Sequence, residues 1–227
     1  MLERNMDWRI CELAAIKRGA GHQLVDRDRK LILKRADSGI ARQLQAIALH
    51  ELDLRFCRYC LTQLASVDKE QQSDLAEAFW ISCIARFYKC FGNSRARTKL
   101  SEKKIFKGKP EAQLAYKFFS ALRDKHIIHD ENPYSQAVVA VAINPSEAPD
   151  LLKGVGAMTI PLYIINENNV KRLSELIDST YAWVLERQAE LVKLLTETYS
   201  QRTRDQLLAL PDLTVNKPED DDVYLSR

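Results

Sequence analysis

The chain has 227 residues, 34 Lys and Arg against 31 Asp and Glu, a net charge of +3 and 46% hydrophobic residues. That length suits one large domain with a core that needs no disulfides, and the near balance of charge excludes a protein dominated by a global basic or acidic field. Seven Gly and seven Pro are few, so long helices with few turns are expected, and no run approaches the ~18 apolar residues of a membrane span. Five cysteines and no leader-like apolar stretch at the start point to a cytoplasmic protein with reduced thiols and no membrane partner.

Taken in chain order, Met1 to Arg18 predicts an amphipathic helix on Ile10, Leu13, Ala14 and Ile16, stopped by Gly19-Ala20-Gly21. A second short helix is expected over Leu24 to Ala36. Ser38 is then placed to cap a long helix from Ile40 to Val67, with Leu44, Ile47, Leu52, Phe56 and Leu64 recurring at helical spacing. Cys57 and Cys60 form a CxxC inside that helix, with no second pair to complete a zinc site, and read as small apolar core residues. After a polar connector a helix runs to Phe91 with a stripe of Leu75, Phe79, Cys83, Phe87 and Cys90. Cys83 and Cys90 stand about 10 Å apart along one face, too far to bridge each other.

From Arg86 to Lys109 there are nine basic residues against one acid, Glu102. This predicts a basic loop whose Arg95, Arg97, Lys99, Lys103 and Lys104 contact phosphate, with the compensating acids elsewhere in the chain. Pro110 opens the next helix, which carries Leu114, Ala115, Phe118, Phe119 and Leu122 into the run Arg123-Asp124-Lys125-His126-Ile127-Ile128-His129-Asp130. Gln136 to Ile143 and Ala157 to Ile165 alternate like strands of a small antiparallel hairpin set against the helices, with Pro161 marking an edge. Asn166 to Ala209 is expected as one long helix, followed by an acidic, disordered tail. The fold class is therefore mainly α: an up-and-down bundle over 1–210 with a hairpin before the long C-terminal helix, and a tail over 211–227.

The run from Arg123 concentrates groups that exchange or hold protons near neutrality. On an ideal α-helix, His126 and His129 fall within about 30° of the centre of the apolar face, with Arg123 on its flank. Arg123 and His129 would lie about 9 Å apart along the axis, a gap that a second copy across a two-fold would close. His126, His129 and Asp130 also have a spacing open to a metal. No further ligand cluster accompanies them, since His22 and His50 stand alone, so no metal is assigned.

The sequence RDKHIIHDEN resembles the R-D/N-K-x-x-A-H form found in bacterial HEPN proteins of the abortive-infection and toxin type. The likeness extends over roughly Leu75 to Tyr199, through the upstream helix, the basic RxR loop and the hairpin. Ile128 departs from it where many relatives carry a small residue. The resemblance implies a homodimeric, metal-independent endoribonuclease without cofactor, acting as a toxin or phage-defence effector, with RNA and an antitoxin or regulatory protein as partners. It implies His129 as general base or acid for 2′-OH attack, Arg123 as the stabiliser of charge on the phosphoryl oxygens, and Asp124 as the residue orienting Arg123 or His129, or the histidine of the partner subunit. Lys125 and the basic loop would hold the RNA backbone, and the product would be a 2′,3′-cyclic phosphate. A non-catalytic module for dimerisation or for RNA or partner binding is the second expectation.

Overall fold

The computed structural model describes residues 14–18, 21–26, 29–30, 32–68, 72–95, 97–129, 135–144, 152–161 and 165–213. The chain divides into two compact units, one of residues 1–38 and 196–225, the other of 39–195 and 226–227. It is mainly helical.

In the first unit, strands β1 (Ala14–Arg18), β2 (Gly21–Asp26) and β3 (Arg29–Lys30) form an antiparallel sheet in that order. This corrects the two helices expected over the described part of 1–36. The apolar runs there are short, and Ile16 opposite Gln23 or Ala14 opposite Val25 fits a period of two as well as a period of 3.6. The Gly19-Ala20-Gly21 run, a helix stop in one reading, is equally a hairpin signal, and Arg18 pairs with Gly21. Residues 32–35 meet residues 211–213: the Lys34 ammonium lies 2.7 Å from Asp212, and the Arg35 amide donates to the Pro211 carbonyl at 2.7 Å. The rest of the expected acidic tail, 214–227, lies outside the described residues.

The second unit begins with α1 (Gly39–Ser66) and α2 (Ser73–Lys89), whose bounds match the sequence expectation within two residues. A short α3 (Glu102–Ile105) interrupts the expected basic loop. Gly108 follows with φ 73°, a left-handed conformation that favours glycine. Pro110 then starts α4 (Pro110–Leu122), where its missing N–H costs no helical bond. The core is built from one stripe of each helix: Leu54, Cys57 and Leu64 of α1, Trp80, Ile84 and Phe87 of α2, and Ala115 and Phe119 of α4. Leu173, Ile177 and Val184 of α5 (Glu167–Ser200) complete it. Trp80 meets Phe119 edge-on with centroids 5.9 Å apart, and burial of each such side chain contributes about 1.5–3 kcal/mol.

The expected final helix does not run to Ala209. It ends at Ser200, and α6 (Arg204–Leu208) starts afresh because Thr203 and Gln206 form a reciprocal capping box. The capping bonds offer the backbone a better start than continuation. Strands β4 (Ser135–Ile143) and β5 (Leu152–Pro161) pair antiparallel, so the second strand lies earlier than expected. Pro161 ends that strand, where its missing donor interrupts no ladder. The side chains of 137–143 and 152–158 are exposed, so the hairpin is not set against the helices as the sequence suggested.

Candidate functional site

At Arg123 the helix changes its winding. Residues Arg123–Ile128 form a π-helical turn continuing α4, with hydrogen bonds from i to i+5 and more residues per turn than an α-helix. The α-helical wheel therefore fails beyond Leu122. His126 is half-buried, whereas His129 leaves the helix with φ −127° and ψ 147° and is exposed. The expectation that both histidines continue the apolar face is corrected for His129, which is open to solvent and to a ligand. Asp130 lies outside the described residues.

Arg123 is held from two sides. Its guanidinium lies 5.0 Å above the ring of Tyr88 on α2, and its Nε donates to Asp124 Oδ1 at 2.7 Å. A second nitrogen, Nη2, contacts the same carboxylate. Tyr88 is 1% exposed, and its hydroxyl donates to the Tyr116 carbonyl. Burial pushes the Tyr88 phenol well above its ordinary range and that of Tyr116 up to about 12. Both phenols thus stay neutral, and the plate beneath Arg123 carries no charge of its own.

A cleft of about 350 Å³ opens beside this turn, lined by Lys89, Asn93, Arg97, Arg123, Asp124 and Ile128 among others. Of the five loop residues expected to contact phosphate, Arg97 lines this cleft, yet its side chain is only 6% exposed. Its guanidinium lies 2.6 Å from Asp53 of α1, which also takes Arg86 at 2.8 Å and Lys89 at 3.9 Å. The reading of Arg97 as a free phosphate-binding side chain is corrected accordingly: part of the compensating acid is Asp53, 2% exposed. Lys99 and Lys104 line a different cleft, of about 410 Å³, with Trp183, Glu186 and Arg187. Arg95, Lys103, Lys125 and Asp124 are exposed.

Two residues missed by sequence reasoning fix the segment between the clefts. Asp53 holds Arg97, and the buried His50, one turn earlier on α1, holds Thr98: its Nε2 donates to the Thr98 carbonyl at 2.8 Å. Burial lowers the His50 pKa below its ordinary value of 6.5, with the Arg97 charge acting in the same direction and the Thr98 bond opposing it. The stripe expected on α1 put Leu52 inside, but Leu52 is exposed and His50, Asp53 and Cys57 are buried instead; a charge on such a stripe demands a buried partner.

The cysteines behave as core residues. Cys57, Cys60, Cys83 and Cys90 are buried free thiols, Cys57 donates to the Cys83 carbonyl at 3.4 Å, and burial raises Cys60 to about 11. Such thiols are poor nucleophiles. Among the described residues no three His, Cys, Asp or Glu side chains gather as a metal-binding group, and no helix is long and apolar enough to cross a membrane. Comparison with protein-family models, curated proteins and solved structures found nothing that matches this chain.

Proposed function

We propose that this chain is a metal-independent endoribonuclease of the HEPN type. The observation that supports this reading is the pairing of an anchored cation with an exposed imidazole across one π-helical turn. Arg123 sits at a cleft with Lys89, and His129 emerges exposed at the end of the turn. A phosphodiester seated there would receive hydrogen bonds from the Arg123 fork and the Lys89 ammonium. His129 would take the proton of the adjacent 2′-OH as its oxygen attacks phosphorus. The bond from phosphorus to the 5′-oxygen then breaks, that oxygen takes a proton from solvent and leaves as a 5′-OH end, and a 2′,3′-cyclic phosphate remains. The charge gathering on the phosphoryl oxygens is what Arg123 stabilises. A homodimer would supply a second copy of the same groups, and a toxin or phage-defence role with an antitoxin partner follows from the resemblance.

A second reading is a non-catalytic module that binds RNA or a protein partner. It is favoured by Asp124, which already occupies two nitrogens of Arg123. Incubation of the purified chain with RNA in EDTA separates the two. The nuclease reading expects cleavage with cyclic-phosphate ends, reduced about 10²–10⁴-fold by His129→Ala and by Arg123→Ala. Binding without cleavage by folded wild type moves the assignment to the second reading, and cleavage lost in EDTA rejects the metal-independent mechanism.

A further inference from the structure

The cleft of about 410 Å³ beside Lys99 and Lys104 has the size of a small-molecule site. Trp183, Glu186, Arg187 and Glu190 line it from α5. They stand at i, i+3, i+4 and i+7 and so share one side of that helix. The remaining walls come from Gln43 and Ile47 of α1 and from residues 98–101.

The second unit has two tryptophans, and they are used differently. Trp80 is 4% exposed and meets Phe119 in the core. Trp183 is only partly buried and lines the cleft, which leaves part of an indole for a flat ring to stack on.

The cations of the cleft are also of two kinds. Arg187 donates to Glu190 at 2.8 Å and to Gln43 at 3.1 Å, so its guanidinium is neutralised and fixed. Lys99 and Lys104 are exposed and meet no carboxylate among the described residues. Of the two acids lining the cleft, Glu190 is thus occupied, and only Glu186 stands against the two lysines. The small positive surplus suits a single phosphate better than a polyphosphate, which would also face Glu186.

A ring that stacks on an indole and a phosphate that takes ammonium donors are the two halves of a nucleotide. We propose that this cleft binds one nucleotide, with its base on Trp183 and its phosphate at Lys99 and Lys104. The nucleotide is either free or one unit of a single strand. The two clefts adjoin, since Arg97 lines one and Thr98 the other, so a strand seated here has a short path to Arg123. Binding here needs no cleavage and none of Arg123, Asp124 or His129, so it can hold where the nuclease reading fails, and the reverse.

Isothermal titration of the full chain with adenosine monophosphate and with 2′-O-methyl hexaadenylate tests it. The blocked 2′-oxygens of the hexamer cannot attack phosphorus, so binding is read without chemistry. Binding of the mononucleotide supports a free ligand, and binding of the hexamer alone supports a strand. Adenosine and inorganic phosphate should each bind at least about tenfold more weakly than the ligand that binds. Trp183→Leu should weaken binding at least about fivefold, and Trp183→Phe should keep most of it. Lys99→Ala with Lys104→Ala should weaken it at least about tenfold, whereas Lys117→Gln, on α4 and off the cleft, should leave it unchanged. No binding of either ligand, phosphate binding as tightly as the nucleotide, or affinity indifferent to Trp183→Leu overturns the proposal. Where Trp183→Leu fails to fold by circular dichroism, the exposed lysine pair decides: affinity unchanged in the double variant overturns it as well.

Discussion

Two arginines line one cleft, and each is held by an aspartate, but the two pairs are of different kinds. Arg97 and Asp53 are 6% and 3% exposed at the side chain and come from separate segments, whereas Arg123 and Asp124 are neighbours, 27% and 51% exposed. The first pair shapes the fold, because an uncompensated charge cannot stay buried there. The second is screened by water and adds little stability, so what it offers is a guanidinium whose direction is set. One cleft thus joins a buried wall to an exposed one.

Removing the buried carboxylate should produce the largest change. Asp53→Ala strands Arg97 in the interior and leaves Arg86 without its close partner, which should cost about 3–5 kcal/mol of folding stability. A urea titration followed by circular dichroism measures it. The double change Asp53→Leu with Arg97→Met should be less damaging than Asp53→Ala alone, since it removes both charges together. Equal or greater damage from the double change would mean that the wall is held by packing around Arg97 rather than by charge.

Arg123→Ala should behave in the opposite way. Under the nuclease reading it lowers RNA cleavage about 10²–10⁴-fold, while stability shifts by no more than about 1 kcal/mol for a partly exposed ion pair. Single-turnover cleavage and the same urea titration, run side by side, give both values. A large stability loss would place Arg123 with Arg97, as a structural residue clamped on Tyr88.

The contrast between the pairs also marks what a single sequence reveals. Helical spacing disclosed α1, α2, α4 and most of α5, because their apolar residues recur over many turns. It failed over residues 14–30, where each apolar run is too short to distinguish the two periods. It also failed at Arg123–Ile128, since nothing in residue type announces that the backbone bonds widen from i+4 to i+5. Arg123, Asp124 and His129 were visible as a local cluster. Asp53 and Arg97 are 44 positions apart, and only their side-chain meeting explains why a carboxylate stands on the core stripe of α1.

His50 supplies a smaller, pH-dependent test of the same wall. Its pKa is lowered in the folded chain, so the unfolded chain binds more protons and stability rises with pH across that window. The contribution is complete above 6.5, the ordinary value, and is lost as pH falls through 6.5 toward the lower folded value. Thermal midpoints measured from pH 7.5 down to about 5 should therefore decline, and His50→Gln should flatten the decline. An identical slope in the variant would show that other groups carry the acid sensitivity.

The smallest effect on stability is expected at Asp124. Its carboxylate is about half exposed, so Asp124→Asn should move the unfolding free energy by less than about 1 kcal/mol. Under the nuclease reading, RNA binding should nevertheless tighten and grow steeper in salt, because removing an anion from the cleft lets Arg123 release a further phosphate counterion. Cleavage should fall in the same variant, since the guanidinium loses the partner that fixes its direction, and an untethered fork spends less time aligned with the phosphoryl oxygens. Fluorescence anisotropy across a salt series, paired with cleavage rates at saturating protein, separates binding from chemistry. Tighter binding with slower cleavage is the outcome expected if Asp124 orients Arg123. Tighter binding with faster cleavage would make the aspartate a brake on the site, and the exposed pair would then be regulatory in kind.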